Sequence, residues 1–197
     1  LLLNRTEPAT AMTITGNGIM IVAQNEIRVN STPQSLQPGE PVSLQQGEIC
    51  LNLQNQEMLS ISGTLAFSAE DRAIRISRGK ASIDFTPSAI GYRVSTPNSI
   101  LHIIGTTVKF DITEKSEKIE VVKGKISWSL AGQSKGGILE AGNGIQIISG
   151  NNGIMAEALR TDGSKDRPEA ETEKPEADST HLNGEAIQEP VLHPDAN

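Results

Sequence analysis

An all-β domain is predicted: many short antiparallel strands in a β-solenoid-like or sandwich arrangement, followed by a disordered C-terminal tail. Three observations predict it. Apolar residues alternate with period two through almost every segment between Met12 and Ser149, as half-buried strands require. Glycines break that alternation at the spacing of strand turns. No convincing 3.6-residue periodicity occurs before Ile154.

The elements follow one another in a steady rhythm. MTIT, GIMIV, EIRV and PVSL come first, then EICLNL, MLSIS, TLAFS and AIRIS. KASIDF, YRVS, SILHII, TVKFDI, KIEVV, KISWSL, GILEA and GIQIIS complete the series. With 36% hydrophobic but only 3% aromatic residues, the core must rest on Ile, Val and Leu, which suits strands. Gly-bounded strand pairs recur at QQGEICLNLQNQEMLSISG and at VVKGKISWSLAGQSKGGILEAG, alike in rhythm and not in residue identity.

Three regions are expected: a lead-in over 1–11, the β domain over 12–153, and an acidic Pro/Glu-rich tail or linker over 154–197. LLL at the start is read as the end of an apolar membrane or signal segment, or as an ordinary terminus. After Gly153, IMAEALR suits one or two helical turns, and residues 160–197 are expected to be disordered for want of apolar surface to bury. From Arg160 onward ten Asp/Glu stand against four Lys/Arg, so the tail carries −6 of the net −7. A body so close to neutral argues against an intrinsic nucleic-acid surface.

Few residues carry candidate chemistry. Cys50 is the single cysteine, which excludes an intramolecular disulfide and a cysteine metal cluster; in EICLNL it reads as a buried structural thiol. His102 in SILHII reads as a surface or satisfied strand residue, and His181 and His193 fall in the tail. No serine stands in a Gly-x-Ser-x-Gly elbow. Gly16-Asn17-Gly18 and Gly142-Asn143-Gly144 are turn signals without the helix that a phosphate loop needs. Asp111, Glu114, Glu117 and Glu120, interleaved with Lys115 and Lys118, read as a solvated hairpin tip rather than a calcium site. No catalytic set, cofactor or metal is expected. Tyr92 and Trp128 are candidate interface anchors, and Asn4 and Asn30 open glycosylation triplets.

The motifs, taken in order, resemble the FecR family of envelope regulators. Val94-Ser95-Thr96-Pro97 supplies its V-x-T-P approach, and Gly105-Thr106-Thr107-Val108-Lys109-Phe110 its G-T-x-F-x-V, with Val108 where Phe is frequent. Val121-Val122-Lys123-Gly124-Lys125-Ile126 supplies V-x-x-G-x-V, and Leu139-Glu140-Ala141-Gly142 supplies L-x-A-G. The match spans roughly residues 36–149. Thr96, Pro97, Gly105, Thr106, Phe110, Gly124 and Gly142 are thus fold-signature residues. Pro97 lacks a backbone donor and holds Thr96 extended, so the pair opens a strand. Gly105 permits a turn or bulge before Thr106 and Thr107 restart the next strand, and Gly105→Val is expected to unfold the domain.

The resemblance implies a non-enzymatic, extracytoplasmic domain, periplasmic and tethered to the inner membrane in the full-length protein. It implies protein–protein recognition in envelope signalling, with a transporter or regulatory protein as partner, no small-molecule substrate and no nucleic acid. The anti-sigma segment of such regulators is not in the sequence, and an acidic tail stands where a further compact domain would contact a transporter. The alternative expectation is a cell-envelope structural or glycan-binding module.

Overall fold

In the computed structural model, residues 12–53, 56–150 and 153–160 are described; the expected lead-in and the tail beyond Arg160 lie outside them. The strands are β1 (Met12–Val22), β2 (Asn25–Val29), β3 (Gln34–Leu36), β4 (Pro41–Leu53), β5 (Gln56–Glu70), β6 (Ala73–Phe85) and β7 (Arg93–Ser95). A 3-10 turn at Pro87–Ala89 precedes β7. Then come β8 (Ser99–Ile103), β9 (Thr107–Ile112), β10 (Ser116–Lys123), β11 (Lys125–Leu130), β12 (Gly136–Glu140), β13 (Asn143–Gly150) and β14 (Gly153–Arg160). The all-β expectation holds.

All fourteen strands belong to one hydrogen-bonded sheet, and that sheet is folded into two layers. The four long strands β1, β4, β5 and β6 pair with one another along their lengths and run through both layers. β6 divides the sheet: residues 73–75 pair with β7, whereas residues 79–84 pair with β9. The front layer continues from β7 through β8 and β11 to β12. The back layer continues from β9 through β10 and β13 to β14. At the other end β1 divides likewise, giving residues 18–22 to β2 and residues 12–14 to β3. Every pairing except β6–β7 is antiparallel, and because the two branches that part at β6 enclose one shared core, the arrangement is sandwich-like.

The layers meet along a crease of glycines in the middle of the long strands. Gly18 stands opposite Gly47 between β1 and β4, and Gly63 and Gly79 stand on β5 and β6. Gly47 shows why no side chain fits: its φ is +106°, and a Cβ there would lie 2.2 Å from the Asn17 carbonyl oxygen.

Bulges reconcile the hydrophobic pattern with one shared core. On β4 the buried residues are Val42 and Leu44, then Ile49 and Leu51, a change from even to odd positions. A strict two-residue repeat would turn half of them to solvent. Gln45 absorbs the shift, because Met20 faces Leu44 while Ile19 faces Gln46. Ser77 does the same on β6, between Ile74–Ile76 and Ala81–Ile83–Phe85. The interior is one continuous cluster of aliphatic side chains with Phe67, Phe85, Tyr92 and Phe110.

The structure departs from expectation at 153–160. IMAEALR forms no helical turns; it is β14, paired with β13 from Asn143↔Arg160 to Gly150↔Gly153. Ala, Glu and Leu are good helix formers, but the docking of Ile154 and Ala156 against the core overrides that local preference. The domain therefore extends beyond Gly153.

Candidate functional site

The Thr-Pro motif is the centre of a buried polar cluster that joins the two layers. Thr96-Pro97-Asn98-Ser99 is the tight turn between β7 and β8, closed by the Thr96 N–H to the Ser99 carbonyl at 2.9 Å. Its polar groups converge on Glu117 of β10, in the other layer, which has no solvent exposure. The Thr96 and Ser99 hydroxyls donate to Glu117 Oε2 at 2.6 and 3.1 Å. Asn98 donates its backbone N–H and its Nδ2 to Oε1 at 2.6 and 2.9 Å. A carboxylate taken out of water is costly, and these four donors supply its compensation. Pro97 is exposed and only shapes the turn.

Glu117 is therefore a correction. The charge series around it does not form a uniformly solvated tip: Glu114 and Lys115 are exposed, Lys118 pairs with Glu120 at 2.7 Å, and Glu117 points inward. The alternation carries the signal, since Glu117 shares the odd positions of Ile119 and Val121, while its charge masks it. Ser99 accompanies the carboxylate as a potential nucleophile beside a base, yet both are fully buried, so no substrate reaches them. The cluster is a fastening and not an active site.

The other signature residues are also architectural. Gly105 has φ +70° and open space around it, whereas Gly124 has φ +79° and would place a Cβ 2.3 Å from the Gly105 carbonyl oxygen. The close approach that needs a glycine is at Gly124, so the prediction that Gly105→Val unfolds the domain names the less constrained partner. Thr106 is buried and its backbone carbonyl accepts from the Phe85 N–H at 2.9 Å. Phe110 is a core side chain of β9, and the Gly142 N–H, between β12 and β13, donates to the Val121 carbonyl of β10 at 2.9 Å.

Tyr92 is not an interface residue. Only 1% exposed, it packs against Phe85 with ring centroids 5.9 Å apart and donates its hydroxyl to the Ala73 carbonyl. Burial, and secondarily the Asp71 carboxylate, push its hydroxyl well above the ordinary tyrosine range. Trp128 is half-buried on the inward side of β11, facing Gly137 of β12, and keeps an accessible rim. Cys50 is half-buried rather than buried: Ile49 and Leu51 hold the inward positions of β4, leaving Cys50 between Thr15 and Ser60 on the other side. His102 is exposed on β8 opposite Arg93. Asn30 is exposed in the β2–β3 connection, where its side chain accepts from the Thr32 N–H; Asn4, His181 and His193 lie outside the described residues. No cluster of three or more potential metal ligands exists among the described residues, and no helix there is long and apolar enough to cross a membrane.

The accessible features are strand edges and sheet faces. β14 is eight residues long and pairs with β13 alone among the described strands. Its exposed Met155 (57%) stands beside Glu157, the one charged residue between Gly153 and Leu159. β2 presents a shorter edge with Glu26 and Arg28. Long, apolar, lightly charged edges are the ones that accept another strand.

No family model matches this chain, and no curated protein does. Two solved structures share a partial likeness, both of a protein provisionally described as an anti-sigma factor from Parabacteroides distasonis ATCC 8503. One, at 1.65 Å resolution, has 12% identity and a TM-score of 0.42 over 64% of this chain and 59% of its own. The other, at 2.50 Å, has 11% identity and a TM-score of 0.39 over 74% and 59%. The chain thus spans about three fifths of their length. At these TM-scores the likeness decides nothing about function.

Proposed function

We propose that this domain is a non-enzymatic, FecR-like recognition module that binds a protein partner in the bacterial envelope, acting outside the cytoplasm on a tether within the full-length protein. The observation that carries the reading is the β14 edge: an eight-residue strand with one side unpaired among the described residues and little charge to deter pairing. A partner strand added there gains main-chain hydrogen bonds along its length, with Met155 and Leu159 available for side-chain contact on one face. The ordered FecR-like motifs from Val94 to Gly142 support placing it among envelope regulators. A glycan-binding role loses ground, because with Tyr92 interior and all three Phe residues in the core, only Trp128 retains aromatic surface.

The test is in-cell photo-crosslinking of the full-length protein from position 155, read by mass spectrometry. One regulatory or transport protein, crosslinked through one extended segment, is expected. Capture of cell-wall material alone, or of nothing above background, would overturn the reading.

A further inference from the structure

On the back layer, Lys80 pairs with Asp111 at 3.3 Å and Lys118 pairs with Glu120, while the exposed Lys109 enters no ion pair among the described residues. On the front layer, Arg75 and Arg93 are exposed and enter no ion pair among the described residues. Arg72 differs from both, since its guanidinium bonds the Ile90 carbonyl.

Register places the two arginines side by side. β6 and β7 align Ala73 with Arg93 and Arg75 with Ser95, so both guanidiniums stand on the same outward face. Both line a shallow cleft of about 390 Å³ with Ser95, Pro97 and Ile100. They also line a smaller one, where Glu70 is the only acid. From Arg93 the outward row continues through His102 and Ser127 to Ile138, which at 65% is the most exposed large aliphatic residue described. Three strand spacings separate Arg93 on β7 from Ile138 on β12, about 14 Å, or roughly four residues of extended chain.

We propose that this face seats an extended acidic segment of a protein partner, with carboxylates on Arg75 and Arg93 and an aliphatic side chain about four residues away on Ile138. Arginine forks grip carboxylates through paired N–H groups. The hydroxyls of Ser95, Ser127 and Ser129 offer hydrogen bonds to the crossing backbone. Two guanidiniums on a nearly neutral body are too few for a polyphosphate backbone, and an apolar anchor has no use there. The inference rests on the protein-recognition reading but is independent of the β14 edge.

The test uses the whole 197-residue chain and fluorescently labelled peptides EESTLL and QQSTLL, followed by anisotropy. EESTLL is expected to bind about fivefold tighter than QQSTLL, and to weaken as salt rises. Arg93→Glu and Arg75→Glu should each weaken EESTLL about tenfold, and Ile138→Ser about threefold, with melting temperatures unchanged. Met155→Lys should leave binding intact. Equal binding of the two peptides, no binding at millimolar concentration, or displacement by equimolar inorganic phosphate would each overturn the proposal. Loss with Met155→Lys but not with Arg93→Glu would overturn it too, while leaving the protein-recognition reading in place.

Discussion

Glu117 is the residue whose alteration the domain should feel most. Replacing it by Gln turns one acceptor oxygen into a donor that faces donors already committed, so Glu117→Gln should cost about 2–4 kcal/mol and lower Tm by roughly 5–15 °C. Glu114→Gln, on the exposed side of the same hairpin, should change stability by less than about 0.5 kcal/mol; circular-dichroism melts of the two variants compare them directly. Gly124 is the second sensitive position. Gly124→Ala adds a contact at 2.3 Å to a left-handed backbone, whereas Gly105→Ala adds only the backbone strain. Denaturant melts should show more than about 2 kcal/mol lost for the first and about 1 kcal/mol for the second. Both residues belong to motifs that the sequence displays openly. Which glycine is sterically pinned is not legible there, because the answer lies in a carbonyl oxygen brought near by the β8–β9 turn.

At the level of the element, β14 separates folding from recognition. Met155 is exposed on an edge strand, so Met155→Lys should change Tm by no more than a degree or two. Crosslinking from a neighbouring position should nonetheless lose its partner, because an edge lysine opposes strand addition. Most strands could be read from their alternation, and β9 (TVKFDI) is a clear case, with Val108, Phe110 and Ile112 buried in turn. β14 could not, since Ala, Glu and Leu in IMAEALR favour helix and only the presence of β13 makes a strand of them. The bulges at Gln45 and Ser77 were hidden for a related reason. A shift of parity within one strand is visible in a sequence, but the residue left unpaired is defined by the neighbouring strand.

At the scale of the whole described domain, one sheet is creased along its glycines and fastened across its layers by a carboxylate, and the pH response should follow from what is buried. Tyr92 has a raised hydroxyl in the folded state, so its neutral form contributes stability that is fully present below the unfolded value of about 10 and is lost as pH rises above it. Alkaline unfolding should accompany the appearance of tyrosinate absorbance from this single tyrosine. Tyr92→Phe should remove that part of the alkaline slope while costing about 1 kcal/mol at neutral pH for the bond to the Ala73 carbonyl. The amino-acid sequence by itself determined the all-β class and the aliphatic character of the core, because these depend on local alternation; it did not determine the strand ends, since β1, β4, β5 and β6 run on through glycines that read as turns. Only the tertiary structure decided that the strands form a folded sandwich, that Tyr92 and Glu117 face inward, and that Arg75 and Arg93 share an unpaired outer face. Those facts depend on which strands become neighbours, and residues far apart in the chain acquire a common environment only when the sheet closes over its core.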